Sequence, residues 1–411
     1  MPSRLGRATC SLYFIDHSPL TIMKLNSIQF LRAVAALLVV YEHSMDVQMQ
    51  FGTSWQQNFY HLDGFGCIGV DLFFVISGFI ITFVAQKYRG FDDGMHFLEK
   101  RFWRINPIYF IATLVCLGVS LLQMAINNTM ITSPIIKIIG SLFDTLLILP
   151  YKEEISSFKP LLIVGWTLSF EWLFYILFFF LIVGNVKRKT LALPVLFIIL
   201  ITIGQLTKPE DLRLQFITNP ILLEFLLGVM ICQLYVSGKK ITTWLAATCL
   251  AIGIISYIFL IRFGYGNVWY YLSTINGKTS LNKFLLWGIP SAFIMFGCVF
   301  LEKNGKLHRL FDNKLSLLLG NASYSIYLIH YTLFSALYLV YNKTGFFLPA
   351  DAMIWIQVIV GVGISLVFYK LVEKPLLKRI QKHNISFGLG GSKKNVGNQK
   401  EAAQPAGPVI S

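Results

Sequence analysis

The sequence predicts an all-α, polytopic integral membrane protein with about ten transmembrane helices and both termini in the cytoplasm. Of its 411 residues, 55% are hydrophobic and only 13% are charged, whereas about a quarter of the residues in a soluble domain are charged. Apolar runs long enough to cross a bilayer recur along the chain. Lysine and arginine lie in short tracts between these runs, as the positive-inside rule expects of cytoplasmic loops.

Ten apolar segments account for the predicted spans. An eleventh segment, 135–150, is short and carries Lys137 and Asp144. If it spanned the membrane, the basic tracts at 87–104 and 187–189 would lie on opposite sides, so we interpret it as re-entrant or interfacial. The ten predicted spans are 28–46, 68–87, 107–126, 161–183, 191–206, 217–236, 241–261, 284–301, 317–341 and 352–372.

The spans form one predicted membrane domain, residues 25–378, between two polar tails. Residues 1–24 contain no long apolar stretch of the kind found in signal peptides. Met23 would itself be a sensible start, so we interpret the first 22 residues as a short tail or a mis-assigned upstream start. Residues 379–411 are predicted to be a polar cytoplasmic tail.

The composition also excludes some classes of protein. The net charge of +15 would suggest nucleic-acid binding in a soluble protein, but here the basic residues follow the loops between spans, so no nucleic-acid partner is expected. The six cysteines are scattered and have no spacing typical of a metal site or a disulfide framework.

Charged residues within the spans are candidates for function because they are costly in a bilayer. In the first span, Arg32 and His43 share one helix face, about 16 Å apart along the axis. Arg32, near the cytoplasmic end, could meet an anion, and His43 is suited to proton transfer. Alternatively, Arg32 is a snorkelling anchor and His43 a packing residue.

Four further groups carry similar alternatives. Asp71 could orient a histidine or cap its helix. Arg101 and Arg104, in a predicted cytoplasmic loop before Pro107 at the start of the third span, could hold phosphates or simply set topology. Glu171 is expected to face a cavity or a counter-charge such as His43 or an arginine. The last group is a polar stripe in the ninth span, which could line a path or form interhelical hydrogen bonds; its members are Ser323, Tyr327 and His330.

In this order along the chain, these residues resemble the membrane acyltransferase family 3, which acylates sugars at the bacterial envelope. The opening block is closest in appearance to the exopolysaccharide-production members, and unlike the two-part members, no soluble hydrolase-like domain is expected after the last span. The resemblance extends over residues 25–378 and rests on Arg32 with His43, the run Gly69–Phe79, the pair Arg101 and Arg104, the block Trp166–Glu171 and the block Ser323–His330.

The resemblance implies an enzyme of the bacterial inner membrane that moves an acyl group, usually acetyl, from acyl-CoA to a carbohydrate hydroxyl. Acyl-CoA would be a co-substrate, and no bound cofactor or metal is expected. Other expected partners are a carbohydrate or lipid-linked glycan and membrane lipids; the sequence does not indicate an oligomeric state. The implied donor site is Arg32, Arg101 and Arg104; the catalytic group is His43 with Asp71 or Glu171 orienting it; and the acceptor path is Trp166, Ser323, Tyr327 and His330.

Two alternatives belong to other classes. Ten spans with internal charges also suit a secondary transporter or a flippase of lipid-linked sugar, although the sequence shows no paired inverted halves. A non-catalytic scaffold or sensor that binds acyl-CoA without turnover is the third interpretation. Donor binding would then persist while His43 was dispensable.

Overall fold

The computed structural model describes residues 25–51, 62, 64–126, 161–263, 274, 277–345 and 349–382, except the side chains of 48–51 and 350. Within these ranges the chain is helical and has no strand, as predicted. Short 3-10 turns, Phe65–Cys67 and Ile163–Gly165, lead into two of the helices. The helices are α1 Asn26–Phe51, α2 Ile68–Ala85, α3 Gly90–Ile126, α4 Trp166–Val183, α5 Lys189–Thr207, α6 Leu212–Ile217, α7 Leu222–Val236, α8 Thr243–Phe263, α9 Ser280–Lys283, α10 Ile289–Lys303, α11 His308–Phe311, α12 Lys314–Asn321, α13 Ser323–Thr344, α14 Ala350–Phe368 and α15 Lys374–Lys382.

Nine helical segments of the described chain are long and apolar enough to cross a membrane. They correspond to nine of the ten predicted spans. The remaining prediction, 317–341, corresponds mainly to α13, which has 22 residues and would extend about 33 Å. Its polar side chains, including Ser323 and His330, make it less apolar than the other nine.

Several sequence predictions fall outside the described residues. These are the interfacial segment 135–150, the tail 1–24 and most of the tail 379–411. The cytoplasmic location of both termini also stays a prediction, because both termini lie outside the described residues.

One predicted boundary is wrong. The sequence places Pro107 in the first turn of the third span, after a loop carrying Arg101 and Arg104. In the structure, α3 begins at Gly90 and continues through Pro107. Proline's fixed φ is compatible with a helix, and its ring costs one backbone hydrogen bond without ending this helix. Both arginines therefore project from a continuous helix.

Close backbone contacts hold α2 between α1 and α7. A β-carbon at Gly69 would lie 2.3 Å from the carbonyl oxygen of Ala35, and one at Gly78 would lie 2.1 Å from the carbonyl oxygen of Phe225. Only glycine allows such approaches, which are typical of packed membrane helices. The glycines of α2 thus permit close helix packing at both positions.

Helix α1 occupies a central position in the bundle. It packs against α2, α12, α13 and α14. A β-carbon at Gly320 would lie 2.1 Å from the carbonyl oxygen of Gln29, so the end of α12 adjoins the beginning of α1. Because α1 is surrounded by protein on several sides, the polar side chains of its Arg32–His43 face point into the bundle rather than into lipid.

Candidate active site

The three arginines predicted to bind the donor line one chamber. Arg32 comes from α1, and Arg101 and Arg104 come from α3. Together with the solvent at its open mouth, the chamber contains about 970 Å³ of space not filled by protein atoms. Part of its wall is apolar, with Phe73 and Phe74 of α2. The chamber therefore combines guanidinium groups with a surface suited to an apolar chain.

Two carboxylates also face this chamber. Glu171 of α4 accepts hydrogen bonds from the Tyr175 hydroxyl and, at 3.5 Å, from Ser77 Oγ. Glu373 ends the helical turn Tyr369–Glu373, which joins α14 to α15, and accepts a hydrogen bond from Ser325 Oγ. With three arginines against two glutamates, the lining has one excess positive charge, which favours an anionic ligand.

Arg101 is held in place mainly by aromatic rings. Its side chain is only 5% exposed, and its guanidinium carbon lies 5.5 Å from the ring centre of Phe97 and 5.7 Å from that of Tyr175. Its Nε has no hydrogen-bond partner in the described part of the chain. A buried guanidinium with unused donors can bind a phosphate or carboxylate group that enters the chamber.

The polar stripe of α13 extends from the chamber into the bundle. Ser323 and Tyr327 line the chamber, and His330, which is 0% exposed, lies one turn further along. The Tyr327 hydroxyl donates to the carbonyl oxygen of Val164 at 2.9 Å and lies 2.7 Å from Thr167 Oγ1. The predicted shared face of these three residues is confirmed, while their role in an acceptor path stays a prediction.

His43 is paired with a second histidine. Its Nδ1 lies 2.7 Å from Nε2 of His330, and the two rings are nearly parallel, with an interplanar angle of 21°. Tyr331 packs edge-on against His43, with ring centres 5.3 Å apart. The sequence expected a carboxylate to orient His43, and the structure places an imidazole in that position instead.

Asp71 does not orient His43 in this structure. It forms a buried ion pair with Lys283, whose ammonium also lies 4.6 Å from the ring centre of Trp287. It does not cap α2 either, since that helix begins without a side-chain capping bond. Both predicted alternatives for Asp71 are therefore replaced by an ion pair, which lowers the cost of burying a carboxylate in the membrane domain.

Glu171 faces the chamber with a counter-charge, as predicted, and Trp166 lies beside it. Glu171 faces the arginine chamber, so of the predicted counter-charges the arginines apply and His43 does not. Trp166 packs its ring against Phe74 and Phe170, with centres 6.4 Å and 6.2 Å away, beside the chamber. Their proposed roles in catalysis and acceptor binding stay predictions.

Three further charged residues of this region were not predicted from the sequence to have a functional role. Glu373 lines the chamber. Lys283 and Glu224 were not predicted as functional candidates from the sequence, although both are buried. A stricter count of charges inside the predicted spans would have found Glu224, whereas Lys283 precedes its predicted span by one residue.

Comparisons with known proteins identify the family of the chain. The sequence model of a family described as an acyltransferase domain matches residues 25–370. The chain belongs to acyltransferase family 3. Its sequence is 32% identical to the exopolysaccharide production protein ExoZ of Rhizobium meliloti over 332 residues, covering 79% of this chain and 94% of that protein.

More distant relatives have related names. A Staphylococcus aureus protein named provisionally as an O-acetyltransferase is 26% identical over 379 residues, covering 85% of this chain and 56% of that protein. The acyltransferase MdmB of Streptomyces mycarofaciens is 29% identical over 164 residues, which is 39% of this chain and 40% of that protein. No solved structure matches the chain. Family membership and the nine membrane-competent segments of the described chain make this protein a multi-pass membrane acyltransferase.

Proposed function

We propose that the protein transfers an acyl group, acetyl in the simplest case, from acyl-CoA to a hydroxyl of an envelope or exported carbohydrate, in the bacterial inner membrane. The observation that carries the proposal is the connection, through Tyr327, between an arginine-lined chamber and the His43–His330 pair. The exopolysaccharide-related name of one relative and the O-acetyltransferase name of another support a carbohydrate acceptor and an acetyl donor.

The chamber suits the phosphate-bearing part of acyl-CoA. Neither Arg32 nor Arg101 forms an ion pair within 4 Å in the part of the chain that the structure describes. Unpaired buried guanidinium groups are costly, and phosphate oxygens would accept their hydrogen bonds in bidentate geometry. Arg104 adds a third positive charge to the same lining.

The route from the chamber to His43 suits the thioester end of the donor. Phe73 contacts Tyr327 edge-on, with ring centres 5.8 Å apart, and Tyr327 in turn approaches His330 at 6.3 Å. Arg32 and His43 are about 16 Å apart along α1. A long, uncharged arm therefore suits this path, with the charged end of the donor at the arginines and its reactive end near the imidazoles.

The proposed reaction needs one proton acceptor near the thioester. The hydroxyl oxygen of the acceptor forms a bond to the thioester carbonyl carbon while His43 takes the hydroxyl proton. The carbon–sulfur bond then breaks, and the CoA thiolate receives that proton. An acyl-histidine intermediate is the alternative order of events, in which His43 attacks first and the sugar hydroxyl later takes the acyl group.

Purified protein in nanodiscs with radiolabelled acetyl-CoA tests this proposal. We expect thiol release and transfer of label to envelope glycan, with loss of both in His43→Ala and loss of donor binding in Arg104→Ala. His308→Ala and Arg309→Ala are matched controls because both residues are exposed in a segment that does not contribute to the chamber lining. Undiminished transfer by His43→Ala, or no reaction with any acyl-CoA, would contradict the proposal.

A further inference from the structure

The hydrogen bonds around His43 and His330 determine which nitrogen of each ring carries a proton. His330 Nδ1 lies 2.8 Å from the carbonyl oxygen of Ile326, and its Nε2 lies 2.7 Å from His43 Nδ1. A carbonyl oxygen can only accept, so His330 Nδ1 must carry the hydrogen of that bond. The hydrogen bond between His330 and Ile326 therefore has only one possible direction, with His330 as the donor.

The direction of the second bond follows if His330 is neutral. A neutral imidazole has one N–H, so His330 Nε2 carries a lone pair and must accept a hydrogen bond from His43 Nδ1. Neutrality is favoured because His330 is 0% exposed and no carboxylate forms an ion pair with it within the described ranges. Burying an unpaired imidazolium would cost considerable free energy.

The remaining nitrogen of His43 is then the basic one. With its hydrogen on Nδ1, His43 has a lone pair on Nε2, and this atom has no hydrogen-bond partner among the described residues. His43 is only half-buried, in contrast to fully buried His330. The accessible imidazole is thus the one with a free lone pair, and the inaccessible imidazole directs it.

We propose that His330 is a positioning residue that fixes His43 in its Nδ1–H tautomer, so that Nε2 of His43 is the atom that accepts the hydroxyl proton or attacks the thioester. This inference rests on the proposed function and assigns an atom to its central step. In a serine–histidine–aspartate triad, a carboxylate performs this orienting task. Here a second imidazole performs it, and the Ile326 carbonyl fixes the orientation of that imidazole.

The packing keeps the two rings in this relation. Phe334 contacts His330 edge-on at 5.7 Å between ring centres, and Tyr331 contacts His43 edge-on at 5.3 Å. When Nε2 of His43 gains a proton, its Nδ1–H still points to the lone pair of His330, so the imidazolium keeps a hydrogen-bond acceptor until the proton passes to the departing thiolate. No rearrangement of the pair is required between the two steps.

Nitrogen-15 NMR of the histidine-labelled protein in nanodiscs tests the tautomer directly. We expect His43 and His330 each to show a protonated, pyrrole-type Nδ1 and an unprotonated, pyridine-type Nε2. His43→Asn and His330→Gln assign the signals. A protonated Nε2 on neutral His43, or an imidazolium at His330 in the resting protein, would overturn the proposal. This measurement needs no turnover, so it is decided separately from the acyltransferase activity itself.

Two amide variants provide the kinetic test. The glutamine of His330→Gln can present its carbonyl oxygen near the position of Nε2 and still accept from His43. The shorter asparagine of His330→Asn can replace only Nδ1, which donates to Ile326. We expect His330→Asn to lose about 10²-fold in kcat, with KM for acetyl-CoA nearly unchanged, and His330→Gln to recover most of that loss.

Other outcomes of the kinetic and NMR experiments also decide between the possibilities. Equal activity in both amide variants would contradict a positioning role, as would a loss confined to KM. If His330→Asn does not fold, the wild-type NMR signals and the activity of His330→Gln still decide the question. If wild-type protein shows the expected tautomers but no acyl-CoA reacts, the proposed function fails while the assignment of the His43 tautomer stands.

Discussion

The buried ion pair of Asp71 and Lys283 leads to a prediction about the stability of the membrane domain. The two side chains are 0% and 4% exposed. Glu224 is also 0% exposed and interacts electrostatically with both. This group therefore holds two carboxyl groups and one ammonium group in an environment that does not solvate charge.

The loss of stability on replacing one member of this group should depend on the buried charges that remain. Lys283→Met leaves two buried carboxyl groups without a cation, and we expect a loss of about 3–5 kcal/mol in the free energy of unfolding. Asp71→Asn leaves Lys283 with Glu224 as a remaining partner, so the loss should be smaller, roughly 1–3 kcal/mol. The double variant leaves only Glu224, which can be uncharged as the acid, and should be more stable than Lys283→Met alone.

Equilibrium unfolding in mixed micelles, combined in a double-mutant cycle, measures these differences. Asp351→Asn and Lys370→Met are suitable controls because both residues are exposed, and we expect changes within about 0.5 kcal/mol for each. Additive losses in the double variant would refute the ion-pair argument. Asp71→Asn protein with unchanged stability but no turnover would instead indicate that Asp71 acts in catalysis, as the sequence had suggested.

Two further predictions concern the donor site and the helix packing. Arg101→Lys keeps the charge but loses the planar guanidinium fork, so we expect the dissociation constant for acetyl-CoA, measured by calorimetry in nanodiscs, to rise about tenfold or more; the exposed Arg309→Lys should leave it unchanged, and equal affinity in both variants would contradict the donor-site assignment. Gly78→Val places a β-carbon 2.1 Å from the Phe225 carbonyl oxygen. We therefore expect the free energy of unfolding to fall by about 1–3 kcal/mol, and thermal unfolding to occur at a lower temperature. Gly363→Ala is its control, because nothing lies within 4 Å of the added carbon, and similar melting of the two variants would refute the packing argument.

The architecture could be predicted from the sequence because the bilayer imposes a simple requirement. Each span must satisfy its own backbone hydrogen bonds, so long apolar runs become helices wherever they occur. Nine of the ten predicted spans have a counterpart that meets the length and hydropathy requirement among the described residues. The helical period also placed Arg32 with His43 on one face, and Ser323, Tyr327 and His330 on another, without any knowledge of the neighbouring helices.

The partners of those polar groups depended on tertiary structure. His43 meets His330 across 287 positions, and Asp71 meets Lys283 across 212 positions. Hydropathy cannot indicate such pairs, because helices that face lipid and helices that face each other have similarly apolar surfaces. A carboxylate was a reasonable expectation beside His43 from residue types alone, and only the packing of α1 against α13 placed an imidazole there.

The sequence by itself thus determined the membrane class, the approximate spans, the family and the residues that carry charge within the bilayer. The tertiary structure decided which of those charges share a chamber and which form an ion pair away from it. The physical reason is that burial cost marks a polar residue as significant wherever it lies in the chain. The group that offsets this burial cost lies on whichever helix packs beside the residue. Glycine contacts and side-chain shape determine that neighbouring helix, and local sequence does not.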